Sequence, residues 1–154
     1  MCCVLVFAAC GDARQDESRL IEAAVSLQLD AGDSLSTGRP ILVFVTQKDC
    51  EFCHLLRQRI LFPMIRRGEL RERVILREIS LDPGFILQDF DDSPVEGRDF
   101  ATRYKAYVTP TLLFLDEHGR NLAEPLTGTA NIEFYGFYLA ERIEEATTAL
   151  SVAP

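Results

Sequence analysis

Two cysteines three positions apart, Cys50 and Cys53, sit in the run Asp49-Cys50-Glu51-Phe52-Cys53-His54. Ahead of them lies the apolar stretch Ile41-Leu42-Val43-Phe44-Val45, and behind them Phe52, Leu55, Leu56, Ile60 and Leu61 keep helical spacing. The pattern predicts a strand that hands over to a helix N-terminus at the dithiol. Exposed amides and the helix dipole favour an anion there, which is the form a thiol needs to act as a nucleophile. Two intervening residues bring the sulfurs within bonding range. Cys50 is the candidate nucleophile. Cys53, one turn further in and more buried, is the candidate resolving thiol.

The residues around the pair tune it. Glu51 and Phe52 lie between the cysteines, and Asp49 and Glu51 place negative charge beside Cys50. That charge disfavours the thiolate, destabilises the reduced form and makes the couple more reducing. Lys48 and His54 act in the opposite sense. The acidic neighbours are expected to dominate, giving a reductant. A rival chemistry is present in the same letters, because Cys50-Glu51-Phe52-Cys53-His54 also fits the attachment pattern of a c-type haem with His54 as axial ligand. A small cytochrome would be mostly helical and supply a distal Met or His, whereas this pair follows a strand pattern. No cysteine follows Cys53, so no second pair completes a four-thiolate zinc site, and no metal is expected. His54 is expected to pack or hydrogen-bond at the first helical turn, and His118 to be solvated in a polar turn.

The elements that must hold the dithiol follow from the same patterning. Residues 19–29 read as a helix and residues 30–38, rich in Gly, Ser and Asp, as a loop. Residues 40–46 read as a strand covered on both faces. Residues 50–66 read as a helix that Pro63 should kink or end. A strand at 74–79 is expected parallel to the first, through a right-handed crossover. Residues 82–96 read as a loop or irregular insert whose acidic residues, Asp89, Asp91 and Asp92, face water. A short helix at 98–105, strands at 111–115 and 121–126 joined by a turn as a hairpin, and a final helix at 132–150 complete the chain. Phe134, Tyr135, Phe137 and Tyr138 are expected to be core with a partly exposed edge. The fold class is α/β: a mixed central sheet of four or five strands, βαβ then ββα, with helices on both faces.

With 47% hydrophobic and 26% charged residues in 154, a single domain can bury its own core. The net charge of −8 and the lack of a basic stripe argue against nucleic acid as a partner. No apolar run is long enough to span a bilayer. The N-terminus is apolar to Ala8-Ala9, directly before Cys10-Gly11. Phe7-Ala8-Ala9-Cys10 resembles the lipobox of bacterial lipoproteins, although Phe7 stands where Leu is usual and no Lys or Arg precedes the apolar run. The resemblance implies export, lipid on Cys10 and a polar tether, so residues 1–18 are read as leader and tether and residues 19–154 as the domain.

Cys50-Glu51-Phe52-Cys53 after a buried strand, with Val108-Thr109-Pro110-Thr111-Leu112-Leu113-Phe114-Leu115-Asp116 downstream, resembles the thioredoxin superfamily, in particular its exported bacterial branch. The likeness covers residues 41–150. It implies that Pro110 is cis and faces the dithiol, and that Thr109 offers backbone groups to an extended substrate chain. It also implies a thiol–disulfide oxidoreductase that reduces protein disulfides in the periplasm, takes electrons from a membrane thiol-reducing partner and needs no bound cofactor. The chain departs from cytosolic thioredoxin in two places. Asp49 replaces a tryptophan, and Phe44 stands where that protein has a buried aspartate that deprotonates the resolving thiol. Another base or water must then serve, with Glu51 as one candidate. A non-catalytic binding or chaperone-like domain that holds thiol clients is the rival of a different class.

Overall fold

The computed structural model describes residues 20–152, so the leader, the tether and Cys10 lie outside the described residues. In chain order the elements are β1 (Glu22–Ala23), α1 (Leu27–Thr37), β2 (Ile41–Thr46), α2 (Glu51–Leu56), a π-helical turn (Arg57–Leu61), α3 (Phe62–Arg66), β3 (Ile75–Ser80), β4 (Ile86–Gln88), β5 (Pro94–Glu96), α4 (Gly97–Arg103), β6 (Thr111–Leu115), β7 (Leu126–Thr127) and α5 (Ile132–Val152). Among the described residues no helix is long and apolar enough to cross a membrane.

The five-stranded sheet has the order β1-β3-β2-β6-β7. Its middle strand β2 runs parallel to β3 and antiparallel to β6. All six residues of β2 are buried, which explains an apolar run without alternation: each face of the strand meets its own helical layer. On one face Leu42 and Phe44 pack with Cys53, Leu56, Leu112 and Leu139, from α2, β6 and α5. On the other, Ile41, Val43 and Val45 pack with Leu27, Phe100 and Leu113, from α1, α4 and β6. This is the mixed α/β architecture expected from the sequence, with five strands.

The first segment differs from its sequence reading. Residues 20–26, expected as the start of a helix, are not helical: β1 adds to the sheet edge beside β3, and the helix begins only at Leu27. Ser26 sets that start, with an extended backbone and a hydroxyl that accepts the Leu29 amide at 3.3 Å. Residues 30–38, expected as loop, are mostly α1. The buried stripe of α1 is Leu27, Asp30, Ala31 and Ser34, so half of it is polar and apolar periodicity conceals it. Asp30 is tolerated inside because Arg77 of β3 reaches it at 2.8 Å, and Ser34 donates to the Arg39 carbonyl at 2.7 Å. Burial pushes the Asp30 carboxyl up, against the pull of Arg77.

Pro63 does not end the dithiol helix. The turn ahead of it widens, and the Phe62 amide reaches back to the Arg57 carbonyl, so the missing proline donor is accommodated and the helix runs on to Arg66. Residues 82–96 contain a two-stranded ribbon, β4 with β5, around buried Leu87. Asp89, expected in water, is buried and bonded to Arg103 at 2.6 Å. The strand expected at 121–126 contracts to β7, preceded by a single bridge between Leu115 and Asn121. The final helix stands as expected, but of its four aromatics expected as core only Tyr135 is buried, whereas Phe134, Phe137 and Tyr138 are exposed.

Two stability predictions follow from this packing. A Cβ on Gly97 would lie 2.1 Å from the Ser80 backbone oxygen, where nothing flexible can yield. Gly97→Ala is therefore expected to lower unfolding free energy by about 2 kcal/mol or more in urea melts; an unchanged midpoint would contradict the tight approach of α4 to β3. The Tyr135 hydroxyl is buried without a hydrogen-bond partner among the described residues, and burial raises its ionisation above the usual tyrosine range. Tyr135→Phe is expected to stabilise the fold by about 1 kcal/mol, and a comparable loss would show that the hydroxyl is satisfied.

Candidate active site

The end of β2 fixes the dithiol. After Thr46 the chain turns outward through exposed Gln47, Lys48 and Asp49. The Lys48 amide donates to the Asp82 carboxylate at 2.9 Å, which ties this loop to the segment after β3. Cys50 then takes an extended conformation (φ −96°, ψ 97°) and becomes the N-cap of α2. Its sulfur accepts the Cys53 amide at 3.1 Å, and its carbonyl accepts the Cys53 and His54 amides at 3.1 and 3.2 Å. The helix start expected from the sequence is therefore real, and the capping atom is the candidate nucleophile itself.

Cys50 and Cys53 are joined by a disulfide, with their Cα atoms 5.2 Å apart. Cys53 is fully buried, whereas Cys50 is half-buried. An incoming sulfur therefore meets Cys50 first. The tuning residues lie on the outside: Glu51 and His54 are exposed, and Phe52 is 57% exposed. Charges there act through water and are screened, so they influence the pair less than their sequence proximity implies.

Thr109 and Pro110 come to the same end of the sheet. In the antiparallel pairing of β2 with β6, Thr111 faces Val45, one residue before β2 ends and two after Thr109. The Thr109–Pro110 peptide is cis, as the family resemblance implies. Pro110 is buried and its carbonyl accepts the Gly128 amide at 2.8 Å; Thr109 is half-buried. Tyr107 and Val108, just before, are exposed apolar residues at that end of the sheet, as is Phe52. Tyr107 was not singled out from the sequence, and its only signal is its place next to the Thr-Pro element. His118 falls at the opposite end of β6, in a turn held by Asp116, which accepts the His118 and Arg120 amides at 2.9 and 2.8 Å. Among the described residues no group of three or more His, Cys, Asp or Glu is arranged to hold a metal ion.

At the end of β2 that leads to the dithiol, the structure assembles a group that the sequence did not reveal. Phe44 is fully buried. The Arg57 guanidinium lies 4.9 Å from the centre of its ring and forms an ion pair with Glu78. Thr46 donates its hydroxyl to the same carboxylate at 3.1 Å. Arg57 and Glu78 each read as solvent-facing charges in isolation. The signal was that Glu78 interrupts a strand whose position requires cover on both faces.

The folds of several solved proteins overlay on this chain. A thioredoxin from Thermus thermophilus aligns with a TM-score of 0.59 at 20% identity, over 84% of this chain and 92% of that one. A thioredoxin-fold protein from Helicobacter pylori gives 0.57 at 12% identity, over 90% and 96%. An oxidoreductase named DsbH gives 0.53 at 18% identity, over 94% and 97%. These likenesses show the fold. No curated protein sequence matches at a significant level. The thioredoxin-like domain family matches residues 27–140, from the start of α1 into α5, and so includes the dithiol and the Thr109–Pro110 element. On that match, which takes in most of the chain, the protein belongs to the thioredoxin-like domain family.

Proposed function

We propose that the protein is a thiol–disulfide oxidoreductase that reduces disulfides in other polypeptides, in the bacterial periplasm and anchored through lipid on Cys10. The observation that carries the reading is a half-buried sulfur at a helix N-cap, bonded to a fully buried partner three residues on. In the reduced protein the Cys50 thiolate attacks one sulfur of a substrate disulfide. A Cys50–substrate disulfide forms and the other substrate sulfur leaves as a thiolate that takes up a proton. Cys53, having lost its proton, then attacks the Cys50 sulfur. The Cys50–Cys53 disulfide forms and the second substrate sulfur leaves. Two electrons pass to the substrate and two thiols are released.

The surroundings suit a polypeptide substrate. Thr109 would offer backbone groups to an extended chain, while Phe52, Tyr107 and Val108 provide apolar contact at the same end of the sheet. A membrane thiol-reducing partner would return the electrons, with no bound cofactor in the cycle. The exchange reading is favoured over haem attachment because both sulfurs engage each other and sit in a thioredoxin fold. It is favoured over a passive client-binding domain because one sulfur of the pair is accessible and the other is held within bonding distance of it.

Insulin reduction tests this reading. Wild type should reduce insulin with dithiothreitol as electron source, and Cys50→Ser and Cys53→Ser should each lose more than about 100-fold in rate, with Cys53→Ser accumulating a mixed disulfide. Turnover that survives Cys50→Ser would refute the assignment, and a purified protein with a haem Soret band would favour the rival. Redox equilibration should give a potential below about −200 mV, and a value near about −120 mV would reverse the direction to oxidation.

A further inference from the structure

We infer that the ion pair between Arg57 and Glu78 sets the charge felt by Cys53, and with it the reduction potential of the dithiol; this rests on reading Cys50–Cys53 as a redox couple. Cys53 is fully buried, and burial disfavours a thiolate. The charges that flank the pair in sequence, Lys48, Asp49, Glu51 and His54, are all exposed and screened. Arg57 and Glu78 are different, because their side chains are only 18% and 23% exposed.

Their placement follows from the fold. Arg57 lies four residues after Cys53, on the same helical face, and its amide bonds to the Cys53 carbonyl. Its guanidinium is laid over the Phe44 ring instead of extending into water. Glu78 is the register partner of Phe44 in the neighbouring strand, so both point to the face that carries the Cys53 cluster. Thr46, two residues beyond Phe44 on that face and buried, holds the Glu78 carboxylate at the end of β2, where the chain leaves for the dithiol. Phe44 thus serves as an apolar platform for the Arg57 cation, with the Glu78 anion paired to it, on the face of the sheet that carries the Cys53 cluster.

The two charges act in opposite directions. Arg57 favours a Cys53 thiolate and Glu78 disfavours it; paired, they largely cancel. At a pH where Cys53 ionises in the reduced protein, whatever stabilises its thiolate stabilises the reduced form and makes the couple more oxidising. Arg57→Gln leaves the Glu78 anion uncompensated and should make the couple more reducing. Glu78→Gln leaves the Arg57 cation uncompensated and should make it more oxidising. A merely structural pair, once broken from either side, would cost stability in both variants without moving the potential in opposite senses.

The experiment is redox equilibration of wild type, Arg57→Gln, Arg57→Lys and Glu78→Gln with glutathione at about pH 9.5, where a buried thiol begins to ionise, read by thiol alkylation and mass spectrometry, with circular dichroism confirming that each variant folds. The equilibrium constant should shift about three- to tenfold in opposite directions for Arg57→Gln and Glu78→Gln, tenfold being about 30 mV. Arg57→Lys, which keeps the charge, should stay within about twofold of wild type. If Arg57→Gln does not fold, the contrast between Arg57→Lys and Glu78→Gln carries the test. Shifts in the same direction, or a Glu78→Gln value within twofold of wild type, would overturn the inference. A wild type that does not exchange with glutathione would overturn the redox reading itself, and the inference with it.

Discussion

The sulfur of Cys50 caps α2, accepting the Cys53 amide at 3.1 Å where a hydroxyl or carboxylate oxygen more often closes a helix start. That one contact joins structure to chemistry. The Cys53 amide at the start of α2 points at the sulfur that the proposed reaction needs as an anion, so the same group that needs a hydrogen-bond acceptor would stabilise the proposed nucleophile. The rest of the fold fixes where that cap occurs. β2 is paired on both sides and covered on both faces, so it cannot slip in register without exposing a buried row of side chains. Its last residue therefore delivers the dithiol to a defined point above the sheet.

From that point two layers of control can be separated. The outer layer consists of exposed groups, Glu51, Phe52 and His54 on α2 and Tyr107 and Val108 ahead of the cis peptide. In the proposed reaction these are the residues a substrate would meet, and their charges are weakened by water. The inner layer is the platform of Phe44, Arg57, Glu78 and Thr46, where solvent is mostly excluded and charges act more strongly. A fully buried phenylalanine contributes about 1.5–3 kcal/mol of burial free energy and, through its ring face, also seats a guanidinium. On the inference drawn above, stability and redox tuning would thus be combined at one position of the central strand.

The dithiol, β2 and the Thr109–Pro110 element were legible because each is a contiguous motif whose local pattern and tertiary role agree. α1 was not, because two of its four buried positions are Asp30 and Ser34. Asp30 is inside only because Arg77, forty-seven positions away, meets it there. The Arg57–Glu78 pair was hidden for the same reason: it spans twenty-one positions, and neither residue carries a mark of its partner. β4 and β5 are three residues each and bury little, so they lack the alternation that announces a strand. Short-range patterns identified what the site is made of, whereas the long-range ion pairs that surround it required coordinates.

The two sulfurs are unequal, one half-buried at a helix tip and one sealed beneath it. Timed alkylation of the fully reduced protein with iodoacetamide at neutral pH, with each modified cysteine located by peptide mass spectrometry, measures that inequality directly. Cys50 should react at least about tenfold faster than Cys53. Equal rates, or Cys53 reacting first, would contradict it.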